Sequence, residues 1–479
     1  MPKASRKRAS RTAQHTDEPS SSVRSARRQR KSTRPSSPPL PEPESECKFL
    51  ADAPTEAAAA ATPSLAGVLP HDVLDHIFKA VSAQGSPNDL YPVLTVNQRW
   101  FECAVRWLWK VPHLQNLGSW CRLIRTLSLE HHPYDTRSHS GTEPPFRPYG
   151  RYLRHLSATA VFADSVNNSD LMTISLSCPM LLSLSLESCY QVTHRGILCI
   201  INRCPQLSML ELARGGLSHQ ALSRLFRGRL DSLRSLSLML DASVRGPQLV
   251  KAMQNLPSLQ KVYFQNCSMV SDEIMERMIA ACPQLDDVSF LDLRSATDEA
   301  VFAIARHLGP SLKQCTLGLC SSITDVAIIE LARSSPQLRA LTLALLGSIT
   351  DASLEGIAQH LPELTELGVF SIQNITNTGV DYISRRCTEL RYLCLLECTN
   401  VTSSAMTLVA WSLQKLEYLN ITGCSIFEAT PELYQLKRRC IDFIAGNQVH
   451  RNLHLYELML YTKSEFGTNH PVRFTFEVV

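Results

Sequence analysis

The sequence predicts an α/β fold, a solenoid with a parallel sheet on its inner side and helices on its outer side. A leucine recurs at intervals of 26 residues, with one interval of 27, through ten consecutive units. Within each unit the pattern Leu-x-x-Leu-x-Leu alternates as a short, half-buried strand does. One such unit has no partner for its apolar face, so we expect the units to stack around a continuous core. The recurring leucines are Leu181, Leu207, Leu233, Leu259, Leu285, Leu312, Leu338, Leu364, Leu390 and Leu416.

The second half of each unit has the spacing of a helix. In one unit, the apolar side chains of Ile323, Ile328 and Leu331 share a helical face. Thr324 or Asp325 is suited to cap the start of that helix. Strand and helix therefore alternate along the chain, as a parallel sheet requires.

Two units show the consensus in full: residues 178–189 and 387–398 both read Cys-x-x-Leu-x-x-Leu-x-Leu-x-x-Cys. The segment resembles the leucine-rich repeat, whose period is about 20–29 residues. The resemblance implies a horseshoe-shaped solenoid, which we place at residues 151–426. Residues 153–158 read as its irregular first unit, since a terminal unit lacks one neighbour. A linker with one helix and a polar loop, residues 113–150, precedes it.

The first 64 residues are predicted to be a disordered arm, because they are rich in Ser, Pro, Arg and Ala. Residues 1–34 hold eleven Lys or Arg against two acidic residues, although the whole chain carries only +4. Two basic clusters resemble a divided nuclear-import signal; the alternative is a solvated arm that touches nucleic acid without sequence specificity. We expect the protein in the nucleus, the cytoplasm or both. The clusters contain Arg6, Lys7, Arg8, Arg27, Arg28, Arg30 and Lys31.

The apolar segments and the cysteines limit the classes of protein to which this chain can belong. No stretch approaches the ~20 apolar residues that cross a bilayer, and the basic start lacks the apolar core of a secretory signal. Nine of the sixteen cysteines occupy two fixed positions of the repeat, which predicts buried packing groups and a reducing compartment. Their spacing suits no zinc motif, so we predict neither a metal nor a cofactor. The nine are Cys178, Cys189, Cys204, Cys267, Cys282, Cys320, Cys387, Cys398 and Cys424.

Between residues 65 and 112 the sequence predicts three short amphipathic helices. Pro70 suits the first turn of the first helix. A break at residues 85–88 precedes a second helical piece, and Trp100 and Trp109 lie on one side of the third. The apolar stripe of the first helix is formed by Val73, Leu74, Ile77 and Phe78.

This helical segment resembles the F-box. The residues that match the family pattern are Leu69, Pro70, Ile77, Phe78, Val96, Trp100, Leu108 and Trp109. The chain departs from the pattern at Asn97, where many members have cysteine. The resemblance implies that the segment docks on a Skp-type adaptor, which joins a cullin scaffold. The candidate adaptor-binding residues are Leu69, Pro70, Val73, Leu74, Ile77 and Phe78.

Some of the candidate adaptor-binding residues have an alternative, structural role within the segment. About 45 residues make a small core, so several of these side chains are needed to hold the three helices together. Pro70 and the first turn of its helix are the stronger candidates for an external contact.

Residues 427–479 are predicted to cap the end of the solenoid. A helix begins with Thr430 as its cap and Pro431 in its first turn, and it is expected to end at Gly446. Two later segments alternate as strands do: residues 453–458 and 472–476.

The sequence contains no Gly-x-Ser-x-Gly, no Gly-rich phosphate loop and no His-Glu-x-x-His, and we do not expect an enzyme. Function is expected on the inner sheet, where the last units carry aromatic and aliphatic residues between the core leucines. An exposed patch of this kind predicts a protein-binding surface. The alternative is that the C-terminal tail folds over it. The candidate target-binding residues are Tyr263, Phe370, Tyr392, Leu396 and Tyr418.

Together the two segments resemble the F-box/leucine-rich-repeat family. The resemblance implies a substrate receptor that holds a target protein near a ubiquitin-charged enzyme, so that proximity accelerates the transfer. Two alternatives stay open: an inhibitory or scaffolding protein that does not act through ubiquitin, and a nuclear adaptor that uses the basic arm on chromatin. Neither a membrane nor a specific nucleic acid is an expected partner.

Overall fold

The structure is a computed structural model that describes residues 69–444, apart from 85–86, 130–147, 159–162, 187–188, 218, 228–229, 241–243 and 427–429. The predicted arm and the strands predicted after residue 450 lie outside the described residues. Among those described, no helix combines the length and apolar character that a membrane span needs. In the same residues, no three His, Cys, Asp or Glu side chains are grouped so as to hold a metal ion.

Two helices and two short turns form the N-terminal module. Helices α1 (His71–Gln84) and α2 (Gln98–Lys110) are joined by 3-10 turns at Pro87–Leu90 and Pro92–Thr95. The second predicted helix is therefore a pair of 3-10 turns, which the two prolines favour. The module has its own core of Leu74, Phe78, Leu90, Cys103 and Ala104.

The tryptophans of α2 hold α1 in place. The ring of Trp100 packs edge-on against Phe78, with centroids 5.5 Å apart. The indole N–H of Trp107 donates to Asp75 Oδ1 at 2.8 Å. Asn97 caps α2 by accepting a hydrogen bond from the N–H of Trp100 at 3.0 Å. Asn97 thus has a local structural role at the position where the sequence departs from the F-box pattern.

The module is joined directly to the solenoid. The ring of Trp109 stacks on Tyr149, with centroids 4.8 Å apart and planes 10° apart. The N–H of Arg154, just before the first strand, donates to the carbonyl of Lys110 at 3.0 Å. Helix α3 (Leu117–Leu129) lies between the module and the repeats. These contacts fix the end of α2 against the start of the sheet.

Within the described residues, twelve strands form one parallel sheet, in which each strand pairs with the next in sequence. The pairing keeps the repeat in register, since Leu184 lies beside Leu210 and Leu317 beside Leu343. This order confirms the predicted α/β leucine-rich-repeat solenoid. The strands are β1 (His155–Ala158), β2 (Ser183–Leu186), β3 (Met209–Leu217), β4 (Ser235–Leu240), β5 (Lys261–Gln265), β6 (Asp287–Leu291), β7 (Gln314–Gly318), β8 (Ala340–Ala344), β9 (Glu366–Phe370), β10 (Tyr392–Cys394), β11 (Tyr418–Asn420) and β12 (Asp442–Ile444).

A helix follows each strand from β1 to β11 and covers the other side of the core. Thr324 is the N-cap residue of the helix that begins at Asp325, although its hydroxyl donates to Asp298 of the preceding unit at 2.6 Å. The helices are α4 (Asn168–Ser177), α5 (His194–Arg203), α6 (His219–Leu225), α7 (Gly246–Gln254), α8 (Asp272–Ala281), α9 (Asp298–Leu308), α10 (Asp325–Ser334), α11 (Asp351–His360), α12 (Asn377–Arg386), α13 (Ser403–Ser412) and α14 (Pro431–Arg439).

Seven successive units have a residue with left-handed backbone just after the inner strand. The N–H of Leu345 donates to Phe370 O, and that of Ser371 donates to Leu396 O, both at 2.8 Å. The chain can thus turn away from the inner face while the ladder of hydrogen bonds continues. The residues are Asn266, Asp292, Leu319, Leu345, Ser371, Glu397 and Gly423.

The nine repeat cysteines are all buried and none forms a disulfide, which confirms their predicted packing role. Several thiols also donate to backbone carbonyls of a neighbouring unit, as Cys320 does to Ala296 O at 3.0 Å. Burial raises the pKa of Cys204 to about 11 and the pKa of Cys282 to about 12. These thiols therefore stay protonated at neutral pH.

The end of the solenoid differs from the sequence-based prediction. Helix α14 ends at Arg439 rather than at Gly446, and β12 follows it. The guanidinium of Arg439 donates to the carbonyls of Ala410 and Leu413, at 2.9 and 2.8 Å. These contacts hold the end of α14 against the previous helix, and the chain then returns to the sheet. The pattern resembled a longer helix because a three-residue strand is too short to show alternation.

Candidate protein-binding surfaces

The structure divides the candidate adaptor-binding residues into two groups. Leu74 and Phe78 are 0% and 1% exposed in the core of the N-terminal module. Leu69 is partly buried and packs against the same core. Leu74 and Phe78 are therefore not available to a partner, since removing them from the core would unfold the module. The prediction of an external contact is wrong for these two side chains.

The other three candidates form an exposed stripe. Val73 and Ile77 are 42% and 41% exposed and lie one turn apart on α1. Pro70, just before the helix, is also exposed. We name Pro70, Val73 and Ile77 the α1 stripe. An apolar side chain that is exposed on one face of a helix, with its neighbours buried behind it, is available to a partner.

On the inner face of the sheet, the predicted aromatic side chains lie together. Phe370, Tyr392, Leu396 and Tyr418 form one packed group with Ala344 and Cys394, which we name the inner-face cluster. Tyr392 and Tyr418 are register partners in β10 and β11, and their rings stack with centroids 4.2 Å apart and planes 5° apart. Stacking on adjacent parallel strands follows from the strand spacing of ~4.8 Å.

The inner-face cluster is buried, which corrects the prediction of an exposed patch. Phe370 is 0% exposed, Tyr418 is 6%, Tyr392 is 7% and Leu396 is 8%. The sequence indicated correctly that these residues share a face, because positions two apart in a strand lie on the same side. It gave no measure of how closely large rings on neighbouring strands pack, and it did not identify Ala344 and Cys394 as members.

Tyr263 lies apart from that cluster, in β5, and is half-buried. Its hydroxyl donates a short hydrogen bond to the carboxylate of Asp287 on β6. The ammonium of Lys261 lies 3.2 Å from the same carboxylate. Burial raises the pKa of Tyr263, and the negative charge of Asp287 raises it further. Burial also raises the pKa of Asp287, against the opposing effects of Tyr263 and Lys261.

The sequence predicted only part of this polar group. Tyr263 was a candidate, but Asp287 was not, because an Asp at the start of a strand reads as a solvated side chain. The signal that would have identified Asp287 is its register with Lys261, one repeat unit earlier in the parallel sheet. The inner face therefore has two chemically different regions: a polar region at β5 and β6, and an apolar region from β8 to β11.

Comparisons with known proteins give similarities of structure and not of sequence. No family model matches the chain, and no curated protein matches it. A chain of the yeast Rad7 and Elc1 complex is 14% identical, with a TM-score of 0.46, over 80% of this chain and 92% of that one. The leucine-rich-repeat-containing protein LegL7 of Legionella pneumophila is 14% identical, with a TM-score of 0.36, over 52% and 87%. Internalin C2 of Listeria monocytogenes is 18% identical, with a TM-score of 0.28, over 48% and 84%.

Proposed function

We propose that this protein is the substrate-recognition subunit of an SCF-type ubiquitin ligase. The proposal rests on one observation, the exposed α1 stripe on a small helical module that is joined to a repeat solenoid. Apolar side chains exposed along one helix face are typical of a surface that docks on another protein. The resemblance to the F-box assigns that surface to a Skp-type adaptor, which joins a cullin scaffold.

The solenoid would hold the target protein. Its inner face carries the polar region around the half-buried Tyr263, and tyrosine is a residue type favoured at interface centres. The protein itself would perform no bond chemistry, since ubiquitin transfer is accelerated by holding the target close to the charged enzyme. The stacking of Trp109 on Tyr149 supports this role, because a fixed junction limits how far a bound target moves relative to the adaptor.

The test is adaptor binding by variants of the α1 stripe. The double variant Val73→Asp, Ile77→Asp places two charges on the proposed interface without touching the module core. We expect it to lose the Skp-type adaptor and the cullin in co-purification from cells, whereas Lys79→Asp, an exposed change on another side of α1, retains both. Circular dichroism of each purified variant checks that the helices remain folded.

Three outcomes separate the alternatives. Retention of the adaptor by the double variant would contradict the assignment of the α1 stripe. Adaptor without cullin in the wild-type complex would favour a scaffold that does not act through ubiquitin. Deletion of residues 1–34 tests the basic arm: loss of nuclear signal with intact adaptor binding would support its role in import.

A further inference from the structure

A row of residues lies along one edge of the sheet, with one residue per unit just after the inner strand. Its members in the units of β6 to β10 all have left-handed backbone, with φ between 52° and 66°. Consecutive members lie on neighbouring units, ~4.8 Å apart at the spacing of parallel strands. We name this set the rim row: Asp292, Leu319, Leu345, Ser371 and Glu397.

Two leucines in the middle of the rim row have an unfavourable backbone conformation. Glycine adopts left-handed backbone readily, and asparagine or aspartate does so less often, whereas a bulky side chain comes too close to the following carbonyl. Leu345 is 37% exposed, so burial offsets little of this cost. Leu319, on the neighbouring unit, is half-buried. Such an outlier at an exposed apolar side chain points to a role in binding rather than in packing.

The rim row is fixed on one side and open on another. Ala344, Phe370 and Leu396, three members of the inner-face cluster, each directly precede a residue of the row. The N–H of Leu345 donates to the carbonyl of Phe370 at 2.8 Å. Two residues after Leu345, a Cβ added to Gly347 would meet nothing within 4 Å. Leu345 is therefore held by a packed base, while the chain that follows it leaves room for another molecule.

The two ends of the rim row differ in charge. At one end, the carboxylate of Asp292 is paired with Arg294, whose Nε lies 2.5 Å from Oδ1. At the other end, the carboxylate of Glu397 accepts a hydrogen bond from the hydroxyl of Ser371 at 2.5 Å. Within the described part of the chain, no Lys, Arg or His forms an ion pair with Glu397. The row thus combines an aliphatic site at Leu345 with a carboxylate two units away, ~10 Å along the sheet, which a basic side chain would complement.

We propose that the rim row binds a segment of a target protein in which an aliphatic side chain packs on Leu319 and Leu345, and a Lys or Arg three positions away pairs with Glu397. In polyproline II conformation, positions three apart lie on the same side of a segment and ~9 Å from each other, close to the separation of the two sites. A row one residue wide suits such a segment better than a helix, whose diameter is about 10–12 Å. The inference rests on the proposed function, because it names the class of target segment that the solenoid would hold.

Random dodecapeptides displayed on phage test the rim row. Phage that bind the Leu345→Asn variant are removed first, and the rest are selected on the full-length wild type. We expect enrichment of sequences with a Lys or Arg three positions from a Leu, Ile or Val. An enriched peptide, labelled for anisotropy, should bind Leu345→Asn and Glu397→Lys at least ~10-fold more weakly than the wild type. The matched control Val326→Asn removes a side chain that is 63% exposed on α10, and it should bind as the wild type does.

Stability separates a binding role from a packing role. Asparagine adopts left-handed backbone more readily than leucine, so the urea midpoint of Leu345→Asn should equal or exceed that of the wild type. A lower midpoint would show that Leu345 serves packing and would overturn the proposal. Enrichment of no common motif, a spacing of seven that indicates a helix, or equal binding of the peptide to Leu345→Asn and the wild type would also overturn it. The selection uses neither adaptor nor cullin, so its failure is distinguishable from a failure of the ligase assignment.

Discussion

The carboxylate of Asp325 accepts two hydrogen bonds from Thr350, one from its backbone N–H at 2.7 Å and one from its hydroxyl at 2.8 Å. Asp325 is the first residue of α10 and Thr350 caps α11, so these bonds join two successive units. They also satisfy an N–H group at a helix start, where negative charge is favoured. The same pairing recurs at Asp272–Thr297, Asp298–Thr324 and Asp351–Thr376.

Loss of one such carboxylate should weaken the solenoid. Asp325 also accepts from the N–H of Ser353 at 3.2 Å and from its hydroxyl at 2.5 Å, so Asp325→Ala removes four hydrogen bonds. We expect a fall of about 2–3 kcal/mol in the free energy of unfolding, typical for bonds to a charged acceptor. Urea unfolding measures it. Glu273→Ala removes a carboxylate from the exposed first turn of α8 and should cost less than about 0.5 kcal/mol. Equal effects would contradict the role of the pairing.

The row of carboxylates does not extend to the helices before α8, which predicts a weaker region near the start of the solenoid. Helices α5, α6 and α7 begin with His194, His219 and Gly246, none of which is acidic. Helix α6 has only seven residues, and the pairing of β3 with β4 shifts register after Leu212. We expect backbone amides of α6 to exchange with deuterium faster than those of α10, because fewer contacts oppose local opening. Mass spectrometry of exchanged peptides measures this, and equal protection in the two helices would contradict it.

The sequence predicts the solenoid well because its information is periodic. Leu184 and Leu210 are related by the repeat, and the same relation sets their register in the sheet. Partner surfaces are not periodic. Adjacent apolar residues of α1 have different environments: Leu74 lies in the core and Val73 lies on the surface. Only the position of α2 decides between the two. Long-range packing of this kind has no local signal in the sequence.

Polar relations between units are similarly hidden. Asp325 and Thr350 are 25 residues apart, and each reads locally as a helix cap. The hydrogen bond between these two residues can be recognised only once the units are stacked. The burial of Tyr392 and Tyr418 also depends on packing between neighbouring strands, which alternation within one strand does not describe.

Two glycines should respond to alanine in opposite ways. Gly423 has a φ of 76°, which a side chain disfavours, so Gly423→Ala should cost about 1 kcal/mol. Gly347 is exposed, has no positive φ, and an added Cβ would meet nothing within 4 Å. Gly347→Ala should therefore add about 0.4–1 kcal/mol by restricting the unfolded chain. Urea unfolding of the two variants measures both effects, and a change of the same sign in both would contradict this account of the turns.

The buried carboxyl of Asp287 predicts a pH-dependent stability difference. Burial raises its pKa in the folded protein, so the folded state holds the proton more tightly than the unfolded state does. The wild type should then lose stability as the pH rises from the ordinary carboxyl value of about 3.9 to the raised pKa. Asp287→Asn keeps an acceptor for the hydroxyl of Tyr263 but does not titrate. We expect the stability of Asp287→Asn relative to the wild type to increase with pH across this window and to stay constant above it. Urea unfolding from pH 4 to pH 8 measures the difference. A difference that is independent of pH would show that the ion pair with Lys261 balances burial, and one that falls as the pH rises would show that it outweighs burial.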